Sequence, residues 1–398
     1  MLTSLPMRRG FHIAYQIFVH IFAVAGLVLV GGFFAVRLHL TDVKGVVDPK
    51  SAEYGTSVLG VATEKSGTAT SASGSPDSFA ELDRKLADLS HAKELRAGNL
   101  CATGIVSRYA PVNAKGILTV MTSTGSDALV AKMLLAAKIR LEGAGHVDPF
   151  HECRGTSADI PDEVSLRASI GSASGANLFP WMNDEEWAAI RSAIVKDKDA
   201  IDKAALVAGI EPRLLVSCAI VEQVRLFHSQ RELFKKVFEP LKILGNANKI
   251  SLGVMGIKEA TAIETEAHLS DPTSPYYLGP ELAHTLDFSE GVDTATERYK
   301  RLTDESGNHY YSYLYGGLYF RQMLSQWEHA GYDIRYRPEI ATTLFNVGFP
   351  QSKPNANPKV GGSEINVGDA RYSFGSLGYE FYYSGELLDA FPFVTNDK

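Results

Sequence analysis

The stretch 209–227 constrains the fold of this chain most, because it predicts a helix with apolar residues on nearly every side. Pro212 suits the first turn of a helix, where its missing N–H costs nothing, and an apolar run follows it. The members of that run are Leu214, Leu215, Val216, Cys218, Ala219, Ile220 and Val221. A helix of this composition is a buried one, so the rest of the domain is expected to pack around it.

Glu222 continues the face of this helix that carries Leu215 and Cys218, at the spacings i+7 and i+4. Burial of a carboxyl group disfavours its charged form, which suits a general acid that works near neutral pH. Gln223 and Arg225 follow at once, so a glutamate that turns to solvent at the helix end is the alternative. The pattern makes Glu222 the first candidate for a catalytic residue.

Residues 13–36 predict a transmembrane helix, because they are almost entirely apolar and about 20 such residues cross a ~30 Å hydrocarbon core. A signal peptide cleaved near residues 23–26 is the alternative, although the apolar segment continues well beyond that point. Arg8 and Arg9 favour a cytoplasmic N-terminus at 1–12, with the remaining chain outside the cytoplasm.

The region between this segment and the buried helix divides by composition. Residues 37–76 are rich in Ser, Thr, Gly and Ala and predict a flexible linker. Residues 77–178 predict a small, mainly helical domain of unknown role, with helices from Ser78 to Leu95 and from Ser126 to Glu142. Residues 116–121 are read as a short strand or as a helix entry. A further long helix is expected to begin at Asn183.

Charge and cysteine content limit the possible partners. The net charge is −7, and residues 1–44 carry a balance of +3, so the remaining residues carry −10, which argues against nucleic acid as a partner. Cys101 and Cys153 could form a disulfide in an oxidising compartment, while Cys218 acts as a small apolar residue. A metal site is the alternative, with the candidate ligands His146, Asp148, His151 and Cys153. Their spacing matches no familiar site, so we expect neither a metal nor another cofactor.

Two sequence blocks follow Glu222 in a recognisable order. The first is Ser251-Leu252-Gly253-Val254-Met255-Gly256, and the second is Ala341-Thr342-Thr343-Leu344-Phe345-Asn346-Val347-Gly348. This order resembles the lysozyme-like lytic transglycosylases, which have a helix with Glu-Ser, then Gly-Leu-Met-Gln, then Ala-Tyr-Asn-Ala-Gly. The block 313–320 also resembles the Gly-containing helix that precedes the Tyr-Asn block. The likeness covers residues 183–348, which is less than half of the chain.

The chain departs from the family pattern at three positions. Gln223 stands where the family has Ser, Gly256 where it has Gln, and Phe345 where it has Tyr. Each change removes or alters a hydrogen-bonding group near the expected site. Residues 235–249 are read as an insertion between the first two blocks.

The resemblance implies a mainly α fold, with a lysozyme-like catalytic domain at 179–398 that ends in an aromatic-rich extension. It implies an enzyme that cleaves the β-1,4 bond between N-acetylmuramic acid and N-acetylglucosamine in peptidoglycan. With the predicted transmembrane helix at 13–36, we expect this enzyme to be anchored on the outer side of a bacterial cytoplasmic membrane. Glu222 would be its single general acid and base, and the products would carry 1,6-anhydro ends. The positions expected to bind the glycan are Gln223, Ser251, Gly253, Met255, Phe345 and Asn346. Protein partners cannot be named from the sequence.

Two other functions fit the same residues. A lysozyme-type hydrolase would use water in place of the C6 hydroxyl. If a second carboxylate served as base in this site, Glu259 or Glu264 would be the candidates. A wall-binding or assembly protein would retain the fold without turnover, which the three departures favour. The late aromatic residues predict core packing for the most part, with sugar stacking as the alternative. The loop 349–368 is expected to lie beside the site and to cover the glycan.

Overall fold

The computed structural model describes residues 15–24, 26–28, 30–31, 45–55, 92–153, 162–171, 174–228, 251–303 and 308–394. Over these residues the fold is mainly α-helical, as the sequence predicts. The helices that form its body are α1 (Ala92–Tyr109), α2 (Pro111–Thr124), α3 (Asp127–Gly143), α4 (Glu163–Ile170), α5 (Glu185–Lys196), α6 (Lys198–Ala208), α7 (Pro212–Phe227), α8 (Glu259–Ser270), α9 (Thr294–Thr303), α10 (Tyr310–His329), α11 (Pro338–Val347) and α12 (Phe374–Tyr383).

Helix starts agree with the sequence where a polar cap is present. Ser126 caps α3 by accepting a hydrogen bond from the N–H of Leu129, so the helix predicted from this residue is confirmed. The helix expected from Asn183 begins after Asp184, which accepts from the N–H of Trp187. It ends at Lys196, because the chain turns at Asp197 and α6 then packs along α10.

Other predicted elements differ from the structure or fall outside it. Residues 116–121 lie in the middle of α2, so the strand alternative for them is wrong. Of the helix predicted over 78–95, only 92–95 are described, at the start of α1. The insertion at 235–249 lies outside the described residues.

Helix α7 is the buried helix that the sequence predicts. It begins at Pro212, and every residue from Arg213 to Leu226 except Gln223 is buried. The fully buried guanidinium of Arg213 donates hydrogen bonds to the carbonyl oxygens of Tyr382, Glu386 and Phe391, at 2.9 Å each. These bonds satisfy a buried charge and fasten the C-terminal segment to α7.

A three-stranded antiparallel sheet lies beside α11 and α12. Its order is β1 (Gly45–Val47), β4 (Gly361–Val367) and β5 (Ala370–Ser373), and Gly45 pairs with Ser363. A second, two-stranded sheet joins β2 (Ser251–Leu252) to β3 (Ile257–Lys258) in a tight hairpin that precedes α8.

Part of the predicted linker 37–76 is ordered, so the prediction is wrong for residues 45–55. Asp48 accepts hydrogen bonds from the hydroxyls of Tyr54 and Ser373, at 3.3 and 3.0 Å. Tyr54 is 4% exposed and its ring meets that of Tyr379 at 4.7 Å between centroids. Composition did not reveal this order, because the contacts of Asp48 with Ser373 and of Tyr54 with Tyr379 each join residues more than three hundred positions apart. The rest of the predicted linker lies outside the described residues.

The helices α1–α4 share one hydrophobic core with the C-terminal part of the chain. The Arg140 side chain of α3 forms an ion pair with Glu380 of α12, and Glu380 also accepts a hydrogen bond from Nε1 of Trp181 at 2.8 Å. Cys101 and Cys153 form the disulfide that the sequence suggested, with 5.6 Å between their Cα atoms. Cys101 lies within α1.

The predicted transmembrane segment 13–36 is described only in part, over residues that are helical between Tyr15 and Gly31. Among the described residues, no single helix has both the length and the apolar composition needed to cross a membrane. A bent pair, α6 with α7, passes that test by length and composition together, with an angle of 120° between the two helices. Most of this pair is buried in the core of the fold.

The contribution of residues 45–55 to stability is testable at Tyr54. We expect Tyr54→Ala to lower the free energy of unfolding by about 3–5 kcal/mol, the usual loss for a buried aromatic side chain. Urea unfolding monitored by circular dichroism measures this loss. Val47→Ala is the matched control, because Val47 lies in the same segment and is 64% exposed. Equal stabilities for the two variants would show that the segment does not pack on the core.

Candidate active site

A cavity of about 540 Å³ lies at the junction of α7, α8, α10 and α11 with the hairpin β2–β3 and the sheet, and we call it the Glu222 cavity. The residues that line it are Gly45, Glu222, Arg225, Gly256, Ile257, Lys258, Ala260, Thr261, Glu264, Tyr319, Phe345, Asn346, Val347, Gly348, Phe349, Pro350, Gln351 and Ser363. Its walls therefore combine carboxylates and cations with aromatic rings, the mixture typical of a site for a polar ligand that has apolar faces.

Glu222 lies in the wall of this cavity and is only 4% exposed, so the prediction that it is buried is confirmed. Its Oε2 atom accepts hydrogen bonds from Nε of Arg225, at 3.0 Å, and from the Nη2 atom of the same guanidinium. The alternative of a glutamate turned to solvent is wrong. The charge of Arg225 suggested that this end of the helix is exposed to solvent. Instead, Arg225 forms an ion pair with Glu222, one helical turn away inside the wall.

Gly256 is packed against the carboxyl group of Glu222. A Cβ atom at this position would lie 2.6 Å from Oε2 and 2.9 Å from Cδ of Glu222, and the backbone has a φ of +61°. Both the space and the conformation therefore require glycine. The resemblance had suggested that a hydrogen-bonding side chain was lost here, whereas the structure has no room for any side chain beside Glu222.

Asn346 reaches the cavity from the end of α11. Its Oδ1 atom accepts a hydrogen bond of 2.7 Å from the backbone N–H of Ser363 in β4, which fixes the orientation of the amide. The NH₂ group then has no hydrogen-bond acceptor among the described residues. Asn346 can therefore offer a donor to a ligand, as the sequence predicts.

Tyr319 and Phe345 form the aromatic side of the cavity. The hydroxyl of Tyr319 donates to the carbonyl oxygen of Phe345 at 3.0 Å, and the two rings lie 5.2 Å apart. Burial, followed by the nearby Cys218, raises the pKa of Tyr319, and the charges of Glu264 and Glu222 add to this shift. Tyr319 therefore stays a neutral donor over the whole physiological pH range and fixes the end of α11.

Four residues predicted to bind glycan do not line the cavity. Gln223 donates from Nε2 to the carbonyl oxygen of Val254 at 2.7 Å, which holds the hairpin to α7. Ser251 contributes backbone pairing with Lys258 in the same hairpin. Met255 is fully buried in the core.

Gly253, the fourth of these residues, lies where the hairpin passes the end of α9. A Cβ atom at Gly253 would come within 1.8 Å of the carbonyl oxygen of Leu302. These four residues support the walls, and only Phe345 and Asn346 of the predicted binding residues lie in them.

The cavity also contains residues that the sequence did not indicate. Gly45 and Ser363 come from the paired strands β1 and β4, and nothing in the sequence around residue 45 marked it as part of a site. Phe349, Pro350 and Gln351 begin the loop that was expected at 349–368, and they line the cavity as a short 3₁₀ turn. The loop prediction is wrong for 361–367, which form β4.

Most of the late aromatic residues belong to the core, as expected. Tyr319 reaches the cavity, while Tyr379, Tyr382 and Tyr383 are buried in α12. The metal alternative has no support within the described residues, where no three His, Cys, Asp or Glu side chains are grouped for an ion. Cys153, one of its members, is used in the disulfide.

The chain matches no family model, no curated protein and no solved structure. The resemblance to lytic transglycosylases therefore stays a prediction. Function has to be inferred from the side chains of the Glu222 cavity and their chemistry.

The close contact between Gly256 and Glu222 gives a testable consequence. We expect Gly256→Ala to cost about 1–2 kcal/mol for the left-handed backbone and about 1–3 kcal/mol more for the clash with the carboxyl group. Gly209→Ala is the matched control, because Gly209 has a φ of +68° and nothing within 4 Å of an added Cβ. Chemical unfolding of both variants measures the difference, and equal losses would mean that Gly256 does not confine Glu222.

Proposed function

We propose that this protein is a peptidoglycan lytic transglycosylase, in which Glu222 is the general acid for cleavage of the bond between N-acetylmuramic acid and N-acetylglucosamine. The observation that carries the proposal is the meeting of three distant sequence blocks at one cavity. Glu222 comes from the first block, Gly256 from the second, and Phe345 with Asn346 from the third. A chance likeness of short motifs would give no reason for them to converge on a buried acid.

The chemistry needs a carboxylic acid beside the glycosidic oxygen. Glu222 would donate its proton to the oxygen that leaves C1 of N-acetylmuramic acid, and the C6 hydroxyl of the same sugar would then bond to C1 and close the 1,6-anhydro ring. Because the substrate supplies this nucleophile, no covalent bond to the protein is required. The NH₂ group of Asn346 would hydrogen-bond the sugar, and the rings of Tyr319 and Phe345 would face its C–H groups.

In this scheme Arg225 would compensate the negative charge that Glu222 carries after proton transfer. After proton transfer Glu222 is a carboxylate in a wall that excludes most water, and an unpaired charge there would be costly. The guanidinium on Oε2 compensates that charge. The proton to be donated must then be carried on the other oxygen, Oε1, or Arg225 must withdraw from Oε2 as the glycan binds.

The disulfide supports a location outside the cytoplasm. Structural disulfides such as that between Cys101 and Cys153 form in oxidising compartments, where the peptidoglycan also lies. Anchoring in the bacterial cytoplasmic membrane by residues 13–36 stays a prediction.

The ion pair of Glu222 favours a second candidate, a wall-binding protein without turnover. If Arg225 holds Glu222 permanently as a carboxylate, the cavity would bind glycan and leave it intact. A lysozyme-type hydrolase is the third possibility, since the products alone distinguish attack by water from attack by the C6 hydroxyl.

The decisive experiment is incubation of the purified full-length chain with peptidoglycan sacculi, followed by mass spectrometry of the released fragments. We expect fragments that lack one water per chain end. Glu222→Gln keeps an oxygen for Arg225, and we expect it to slow release on the order of 10²–10⁴-fold while the protein still binds to sacculi. Reducing ends would indicate a hydrolase. Binding without release, by wild type and variant alike, would overturn the enzyme proposal.

Asn346 provides a second test of the same site. Asn346→Asp keeps the oxygen that accepts from Ser363 but removes the NH₂ donor, so we expect a loss of on the order of 10²-fold in the rate of release. Asn355→Asp is the matched control, because Asn355 is exposed and its Oδ1 also accepts a backbone N–H, that of Asn357. Equal rates for both variants would remove Asn346 from the site.

A further inference from the structure

A second carboxylate lines the Glu222 cavity. Glu264 lies on α8, one turn after Ala260 and Thr261, which line the same cavity. Of the described residues in the cavity wall, Glu222 and Glu264 are the two carboxylates. Glu264 is exposed and no described residue hydrogen-bonds it.

The other acidic groups of α8 have different surroundings. Glu266 accepts two hydrogen bonds from the guanidinium of Arg298, at 2.8 and 2.7 Å, and one from the hydroxyl of Tyr315 at 2.6 Å. Glu259 lies at the start of the helix and does not line the cavity. Glu264 is therefore the carboxylate of α8 that is placed to meet a ligand in the cavity.

The two cavity carboxylates both raise the pKa of one buried side chain, Tyr319. Burial is the largest cause of the raised pKa of Tyr319, and the charges of both Glu264 and Glu222 contribute to it. Glu264 also contributes to the raised pKa of Tyr276, again after burial. Tyr276 donates to the carbonyl oxygen of Phe349, which belongs to the same cavity wall as Glu264.

The proposed reaction contains two proton transfers, and the two carboxylates differ in their ability to perform them. Once Glu222 has donated its proton, the guanidinium of Arg225 occupies Oε2 with two hydrogen bonds. On Glu222 this leaves only Oε1, the oxygen that has just given up its proton, to accept another from the sugar. Glu264 has no such contact among the described residues and is open to solvent, so it can take up a proton and release it afterwards.

We propose that Glu264 is the catalytic base of this cavity and accepts the proton of the C6 hydroxyl; this inference rests on the proposed function. The bond between C1 and the leaving oxygen breaks, and that oxygen takes the proton of Glu222. A bond forms between O6 and C1, and the proton of O6 passes to Glu264. Solvent then removes the proton from Glu264 and restores one to Glu222, so atoms and charges balance over the cycle.

The test compares Glu264→Gln with Glu259→Gln in the full-length chain, by the rate at which anhydro fragments leave sacculi. Glu259 lies on the same helix outside the cavity and receives the same substitution. We expect Glu264→Gln to slow release on the order of 10²–10⁴-fold and Glu259→Gln to leave the rate unchanged. Retention on sacculi and the unfolding midpoint should match the wild type for both variants.

A chemical rescue separates a base from a structural role. Sodium formate supplies a small carboxylate, and we expect it to accelerate Glu264→Ala at least about tenfold over sodium chloride at equal ionic strength, as an external base would. Glu222→Ala should not respond, because formate at neutral pH carries no proton to donate.

The possible failures are distinguishable. A Glu264→Gln variant as fast as Glu259→Gln, or a slow Glu264→Ala variant that formate does not accelerate, would overturn the role of Glu264. The dependence on Glu222 and the anhydro products would then still stand. If the wild-type chain releases no fragments, the proposed function falls, and the role of Glu264 falls with it.

Discussion

The fold depends on the burial of helix α7 on all sides, because a buried helix must find partners for every charge that it carries. Arg213 at its start binds carbonyl oxygens of the C-terminal segment, and Glu222 near its end pairs with Arg225. Leaving any of these charges unpaired would cost several kcal/mol, on the order of 3–5 for a broken buried pair. The same requirement therefore fastens the C-terminal segment at one end of the helix and builds the cavity wall at the other.

The sequence was sufficient for the features that depend on local patterns. The burial of Glu222 followed from the apolar run before it, and the start of α3 followed from Ser126. The presence of Phe345 and Asn346 in the cavity agreed with the order of the sequence blocks. In each case a residue's neighbours along the chain, or the order of short motifs, carried the information.

The features that the sequence missed depend on contacts between distant residues. Strand β1 is three residues long and has no apolar alternation, and it is defined only by its pairing with β4. Arg225 suggested an exposed helix end, because charged side chains are usually exposed. In the structure it is buried and paired with Glu222, one turn earlier in the helix. The break at Asp197 reflects the packing of α6 on α10, which no local signal contains.

The three departures from the transglycosylase pattern have local physical explanations. Gly256 leaves room for the carboxyl group of Glu222, and the side chain of Gln223 holds the hairpin through Val254. The ring of Phe345 packs against that of Tyr319, and the Tyr319 hydroxyl donates a hydrogen bond to the backbone carbonyl oxygen of Phe345.

Those substitutions thus shape the wall around one acid whose Oε2 is fixed by Arg225. A carboxylate held in this way is stabilised after it donates a proton, and it has only Oε1 left to collect another from the sugar. A site with this geometry favours the division of the two proton transfers between two carboxylates. Glu264, on the neighbouring helix and in the same cavity, is the residue that makes this division possible.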